Sequence, residues 1–307
     1  MRLWFILFSI LTQWSVQAIF VGLIMRNDIS TAVVLLSPAV MVLLACGVLP
    51  LGFVLFYSVH DTFAGNDFIY VGGQWFLQVL TAREFQWALL RSLSFSLLAL
   101  AVQIPLGLWI ALRLPLEGRL ASVLVVLMAV PLLTPSLVVG YLWKVLALPE
   151  TGLLTGVLSM VGLDLDMNSK FVTWVVLLLM DSWHWTSLVV LLAYAGLKAI
   201  PDDYYRAARI DGASSWAIFR FVQLPKLKLV LGIAVLLRFM DSLVIYTEAY
   251  VVTRGGPGVS TTFLSHELVQ TATIQFDLGE GSAMAVIYFV IVVAVSFVFF
   301  RQVTRHE

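Results

Sequence analysis

The chain reads as an all-α polytopic membrane protein: six core spanning helices with an extra hydrophobic helix in front of them. Two observations carry that reading. Of its 307 residues 61% are hydrophobic and only 12% charged, with a mean hydropathy of +0.99, too little polar surface for a soluble globule. Apolar runs also recur, at residues 3–25, 32–57, 90–112, 120–146, 171–197, 229–252 and 281–300. Each is near the roughly 20 residues that a spanning helix needs.

The loops orient these spans. Lys+Arg and Asp+Glu are equal at 18 each, so net charge says nothing about partners, but their distribution does. Segment 198–228 holds Lys198, Arg206, Arg209, Arg220, Lys226 and Lys228 against three acidic residues; 113–119 holds Arg113 and Arg119, and the tail Arg301 and Arg305. These loops are expected on the cytoplasmic side. Loops 58–89, 147–170 and 253–280 are poorer in Lys and Arg and carry Asp61, Asp67, Asp164, Asp166, Glu267, Asp277 and Glu280, which suits the outer side.

The first run is the least regular. Residues 3–25 are long enough to span, but Thr12, Gln13, Ser15 and Gln17 interrupt them, and Arg2, the apolar run and Ala18 also fit a signal peptide. The expectation is a hydrophobic helix over 1–28, spanning or lying in the interface, ahead of a single helical membrane domain over 29–307. Cys46, the lone cysteine, excludes an internal disulfide and is expected to be a buried small hydrophobe. No Gly-x-x-x-x-Gly-Lys-Ser/Thr and no His-Glu-x-x-His occurs, so neither a P-loop nucleotide site nor a zinc protease motif is present.

The most specific signal lies in the loop over 198–228, between Tyr204 and Leu227. Ala207 and Ala208 let a short helix lie close to a partner surface, Gly212 permits a bend, and Pro225 cannot continue a helix interior and is expected to start a new element. The prediction is a helix-turn-helix knob at the membrane edge; an ordinary basic loop is the alternative.

This segment resembles the coupling loop of permease subunits in binding-protein-dependent ABC importers, whose pattern is Glu-Ala-Ala, three residues, Gly, nine residues, Ile, one residue, Leu-Pro. Here Ala207, Ala208, Gly212, Leu224 and Pro225 match, with Arg209 and Asp211 between them. Arg206 stands where the family has Glu, and Val222 where it has Ile. The first departure reverses a charge. A second signature, Thr253-Arg254-Gly255-Gly256-Pro257 with Ser260-Thr261 and Asp277-Leu278-Gly279, resembles the outer loop of sugar permeases, and residues 263–276 are expected to form a short amphipathic helix.

The resemblance covers residues 32 to 305. It implies a six-helix type I importer core of the sugar and polyol permeases, in a bacterial inner membrane. It also implies a second homologous permease, two ATP-binding subunits that hold the ATP and Mg, and an extracytoplasmic solute-binding protein. No cofactor is expected on this chain, and nothing suggests nucleic acid.

Polar residues inside the spans point to the substrate path, because a charge at the centre of a spanning helix costs about 2.5–3.5 kcal/mol on insertion scales. One cluster is Asp181, Ser182, Trp183, His184 and Trp185: a carboxylate beside indole rings suits the hydroxyls and C–H faces of a sugar or polyol. The other is Arg238, Asp241, Ser242 and Glu248. Its spacing puts Arg238, Asp241 and Glu248 on one helical stripe, facing the path or a partner permease, with a local Arg238–Asp241 ion pair as the alternative. For His184, metal binding or proton relay has no second His or Cys at ligand spacing to support it. The span from Arg238 to Tyr250 resembles permeases for small polyols such as glycerol at least as well as those for disaccharides, and its charge and bulk suggest a small polar solute. A polyol is therefore expected before an oligosaccharide, with a phosphate ester third for want of positive charge.

Two other classes remain. An ion-coupled secondary transporter would use Asp181, Asp241 or Glu248 as ion sites but would carry repeated halves, which this chain lacks. A membrane enzyme built on Asp181 and His184 would need a third catalytic group.

Overall fold

The computed structural model describes residues 28–63 and 67–304. The hydrophobic helix expected over 1–28 falls, but for its last residue, outside them, as does Arg305. The described chain divides into two units, one ending at Tyr57 and the other beginning at Ser58.

In the first unit, helix α1 (Asp28–Leu43, with Pro38 inside) passes through a π-helical turn, Leu44–Val48, into α2 (Leu49–Tyr57). The run Val33–Tyr57 is long and apolar enough to cross a bilayer. Cys46 lies in the π turn and is exposed, not buried as expected. Every residue of that turn is exposed as well.

The second unit opens on a hairpin of β1 (His60–Phe63) and β2 (Asp67–Tyr70), paired antiparallel from His60 with Tyr70 to Phe63 with Asp67, then α3 (Gln74–Thr81). Sequence reading left this region a plain loop. Two 29-residue helices form the centre: α4 (Arg83–Ala111) and α8 (Lys170–Lys198). Between them the run expected as one span over 120–146 is two helices, α5 (Arg119–Leu133) and α6 (Ser136–Leu146), bent by 91°, followed by α7 (Leu153–Met160). The reason is Pro135, which forces Thr134 out of the helical region to ψ 125°.

Segment 198–228 holds α9 (Asp202–Ile210) and α10 (Ser215–Ile218), the latter running through a π turn, Phe219–Gln223, into α11 (Leu224–Leu243). Here the structure corrects a second expectation: Pro225 does not start a separate element. It sits two residues past the π turn, as Pro50 does past Leu44–Val48, and the turn closes with the Leu224 N–H reaching back to Phe219. A wider turn moves aside the carbonyl that a proline ring would otherwise strike, so the helix continues.

A second bend separates α11 from α12 (Thr247–Thr253) by 47°, then follow α13 (Leu264–Val269) with a π turn, Gln270–Ile274, and α14 (Leu278–Thr304). The last two elements before α14 are the short helix expected over 263–276. Among the described residues four helices are long and apolar enough to span, and the two bent pairs make six, the number of core spans expected.

Helix α8 is the axis of the second unit. Val176, Leu177, Met180, Val189, Val190 and Ala193 are buried along it. Its neighbours approach through glycine: a Cβ at Gly107 on α4 would lie 2.6 Å from the Val189 side chain, and one at Gly196 would lie 2.6 Å from Leu227 on α11. The three spans therefore approach one another closely toward the C-terminal ends of α4 and α8 and the N-terminal end of α11, a turn or more from the charged residues.

Candidate functional site

The knob over 202–218 is built by its ends. Asp202 and Asp203 occupy the first turn of α9 and Arg209 the last, each sign at the helix terminus that favours it. The helix stops at Gly212, whose φ of +68° suits a residue without Cβ; its N–H bonds Arg209 O at 3.1 Å and the Ala213 N–H bonds Ala208 O at 2.9 Å. Ser214 then caps α10, its hydroxyl accepting from the Ala217 N–H at 3.2 Å.

Tyr205 and Val222 pack the knob against the buried cluster of Tyr194, Leu197 and Leu227, while Lys226 sits 4.5 Å above the Tyr204 ring. The tip is bare: Ile210 is 85% and Trp216 66% exposed. Ala207 is exposed, Ala208 half-buried, Leu224 half-buried and Pro225 exposed. Arg206 makes an exposed ion pair with Asp203 at 3.7 Å.

Between the spans lies a charge cluster drawn from three helices. Arg238 of α11 is fully buried. Its Nη2 bonds Asp181 Oδ2 of α8 at 2.8 Å, its Nη1 bonds Asp241 Oδ2 at 2.5 Å, its Nε donates to Gln103 Oε1 of α4 at 2.7 Å, and its guanidinium lies 4.7 Å from the Trp185 ring. Gln103 Nε2 in turn donates to Asp181 Oδ2 at 2.6 Å. Asp181 and Gln103 are buried, but the Asp241 side chain is 43% exposed. Burying one arginine between charged and amide partners from three elements answers the desolvation that a lone charge would suffer.

The cluster unites two predicted groups and divides each. Asp181 and Trp185 meet Arg238, whereas Trp183 stands on the exposed stripe of α8 with Val175 and Leu179, and His184 is buried with its ring centroid 4.9 Å from that of Trp185. Ser242 is buried and donates to Phe239 O of its own helix. The single stripe expected for Arg238, Asp241 and Glu248 does not form: α11 ends at Leu243, and Glu248 lies beyond the bend on α12, its backbone packed close to Gly140 of α6. Gln103 was missed. Its signal was a solitary amide in the apolar run around Ala99–Ile104.

With this geometry in place, residues 103–307 match the family of the binding-protein-dependent transport system inner membrane component. The chain belongs to that family. It is 33% identical to the trehalose/maltose transport system permease protein MalF of Thermococcus litoralis over 87% of this chain and 91% of the relative. It is 30% identical to the trehalose transport system permease protein SugA of Mycobacterium tuberculosis, over 88% and 87%. In fold it resembles a chain of the bacterial alginate ABC transporter solved with an alginate-bound periplasmic protein, at a TM-score of 0.77 and 18% identity, over 89% of this chain and 93% of that one. The chain is thus a permease subunit, multi-pass, of the inner membrane.

The permease's Gly255–Pro257 turn is anchored to the same helices that carry the cluster. Gly255 has φ +88°, and a Cβ there would come within 2.7 Å of the His266 ring, so only glycine fits. Around Gly256 and Pro257 the Thr253 and Thr261 hydroxyls meet at 2.7 Å, and Thr261 Oγ1 donates to Gly256 O at 2.8 Å. Arg91 of α4 donates to Thr262 O at 2.8 Å and Trp174 of α8 to Ser260 O at 2.9 Å. The Ser265 hydroxyl bonds Ile245 O, tying the turn to the α11–α12 bend. Burial lowers the His266 imidazole pKa between the Tyr246 and Tyr250 rings and raises that of the Glu267 carboxyl, against the pull of the Arg91 guanidinium.

Proposed function

We propose that this permease is one of two transmembrane halves of an ATP-driven importer of neutral polyhydroxylated solutes, sugars of the disaccharide class before small polyols such as glycerol. The observation that carries the reading is the half-exposed Asp241 carboxylate. It lies on a stripe of α11 whose other members, Ile233, Leu237 and Val244, are apolar and exposed. Lipid against that stripe would charge about 2.5–3.5 kcal/mol for the carboxylate, so the stripe faces a polar path or the second permease.

The chemistry fits a sugar. Asp241 Oδ2 is held by Arg238, leaving Oδ1 to accept a hydroxyl, and Trp183 offers an exposed aromatic face on the neighbouring helix. One arginine against two carboxylates disfavours an anionic solute. The names of the two relatives support trehalose-like or maltose-like cargo over glycerol.

Residues 29–307 form the permease domain in this reading, and 198–228 the coupling loop. The bare apolar tip of Ile210 and Trp216 enters a groove on one of two ATP-binding subunits, which hold ATP and Mg. Closure of those subunits tilts α9 through Tyr205 and Val222 into the spans. An extracytoplasmic binding protein delivers the solute beside the outer turn.

The test is ATP hydrolysis by the co-purified complex in lipid nanodiscs with its binding protein, across trehalose, maltose, glycerol and longer polyols. Stimulation by a disaccharide is expected. Stimulation by glycerol alone would return the reading to a small polyol, and uptake into proteoliposomes that proceeds without hydrolysis would establish an ion-coupled carrier instead.

A further inference from the structure

Gln103 has no part in the motif that marks the family, yet it makes two of the four hydrogen bonds in the charge cluster. Its amide accepts from Arg238 Nε at 2.7 Å and donates to Asp181 Oδ2 at 2.6 Å, and it is fully buried. Arginine has only donors and a carboxylate only acceptors, so a bridge between them must do both at once. Glu at this place would accept from Arg238 but repel Asp181, and Lys would do the reverse.

The consequence lies one residue further out. Gln103 and Asp181 fix two edges of the guanidinium, and the Trp185 ring lies 4.7 Å from it. Only the Nη1 edge then points toward the half-exposed Asp241 carboxylate, at 2.5 Å. A rigid arginine holds that carboxylate in one orientation, whereas a loose one would let it swing to other donors.

We propose that Gln103 is a positioning residue for transport: by bonding Asp181 and Arg238 together it fixes the guanidinium, and through it the Asp241 carboxylate, on the wall of the solute path. The inference rests on the assignment of Asp241 to that path.

The experiment uses the complete transporter with its binding protein in proteoliposomes and reads radiolabelled solute imported per ATP hydrolysed, with trehalose, or the member of the panel that stimulates hydrolysis most, as the probe. A merely structural lesion lowers import and hydrolysis together and leaves the ratio unmoved. Gln103→Met is expected to lower the ratio about fivefold, the scale of one typical protein hydrogen bond, because the lost bonds reach Asp241 only through Arg238. In an Asp241→Asn background the same substitution should lower it no further, because both act through one carboxylate. Multiplying losses in the double variant, or an unmoved ratio in Gln103→Met where Asp241→Asn lowers it, would overturn the role of Gln103 alone. An unmoved ratio in Asp241→Asn would instead overturn the path assignment and this inference with it. If Gln103→Met does not assemble, Gln103→Asn keeps both hydrogen-bonding groups on a stem one methylene shorter and carries the same cycle to the same outcomes.

Discussion

The knob over 202–218 and the Arg238 cluster solve opposite problems. The knob leaves large apolar side chains in water, Ile210 at 85% and Trp216 at 66% exposure, on a backbone fixed by a capped helix and a left-handed glycine. The cluster instead takes a full charge out of solvent and fixes it with side chains from three helices. A backbone device tolerates changes of side chain; a side-chain network tolerates almost none. That difference orders the effects that substitutions should have.

Arg238→Met should be the most damaging. It strands the buried Asp181 carboxylate without its countercharge, and breaking such a pair from one side costs about 3–5 kcal/mol. The yield and melting temperature of the purified complex should both fall, and pairing it with Asp181→Leu should recover much of the stability, since removing both charges together is far cheaper than removing one. Recovery of import along with stability would mean that the cluster serves folding alone.

Gly212→Pro comes next and touches the knob only. Proline holds φ near −65°, far from the +68° that closes α9, and it also lacks the N–H that Gly212 gives to Arg209. The complex should assemble while the loaded binding protein no longer stimulates its ATP hydrolysis. Normal stimulation would show that the turn geometry is dispensable.

The same contrast explains what could be read from the sequence. The turn of the knob was legible because it rests on residues local to one another, two alanines and a glycine at a fixed interval, whereas the role of Pro225 was not, since it depends on the π turn before it. The number of spans was legible from apolar run length. The bends were not, since Pro131 and Pro135 announce that a helix is disturbed without saying that it turns by 91°, and nothing near Val244–Tyr246 announces a break that is fixed by Ser265 from another helix. Arg238, Asp181 and Asp241 each stood out as charges in apolar runs. Their partnership with Gln103, 135 residues before Arg238, belongs to packing and left only a lone polar residue as its trace.

Asp241→Ala should be milder in the cluster than Arg238→Met. Asp241 is half-exposed, and Arg238 keeps Asp181 and Gln103 when it is lost. Assembly should therefore survive while import falls roughly tenfold, about what a lost hydrogen bond to a charged group costs. Uptake at low substrate equal to that of the unaltered permease would mark the Arg238–Asp241 contact as a local ion pair that only keeps the helix insertable.

Arg206→Glu should do least, and it tests the knob where it departs from its family. Arg206 pairs with Asp203 at 3.7 Å, but both side chains are largely exposed, and such pairs contribute about 0–1 kcal/mol. Glu would meet Asp203 as a like charge one turn away, a similarly small penalty in water. If coupling runs as proposed through the apolar tip and the Tyr205–Val222 base, stimulated ATP hydrolysis should stay within about twofold of the unaltered complex at moderate salt, where exposed charges are screened. A loss of tenfold or more, relieved as salt is raised, would reveal an acidic partner for Arg206 on the ATP-binding subunit. The knob would then depend on a side chain after all, and its contrast with the Arg238 cluster would narrow to the difference between a charge in water and a charge between helices.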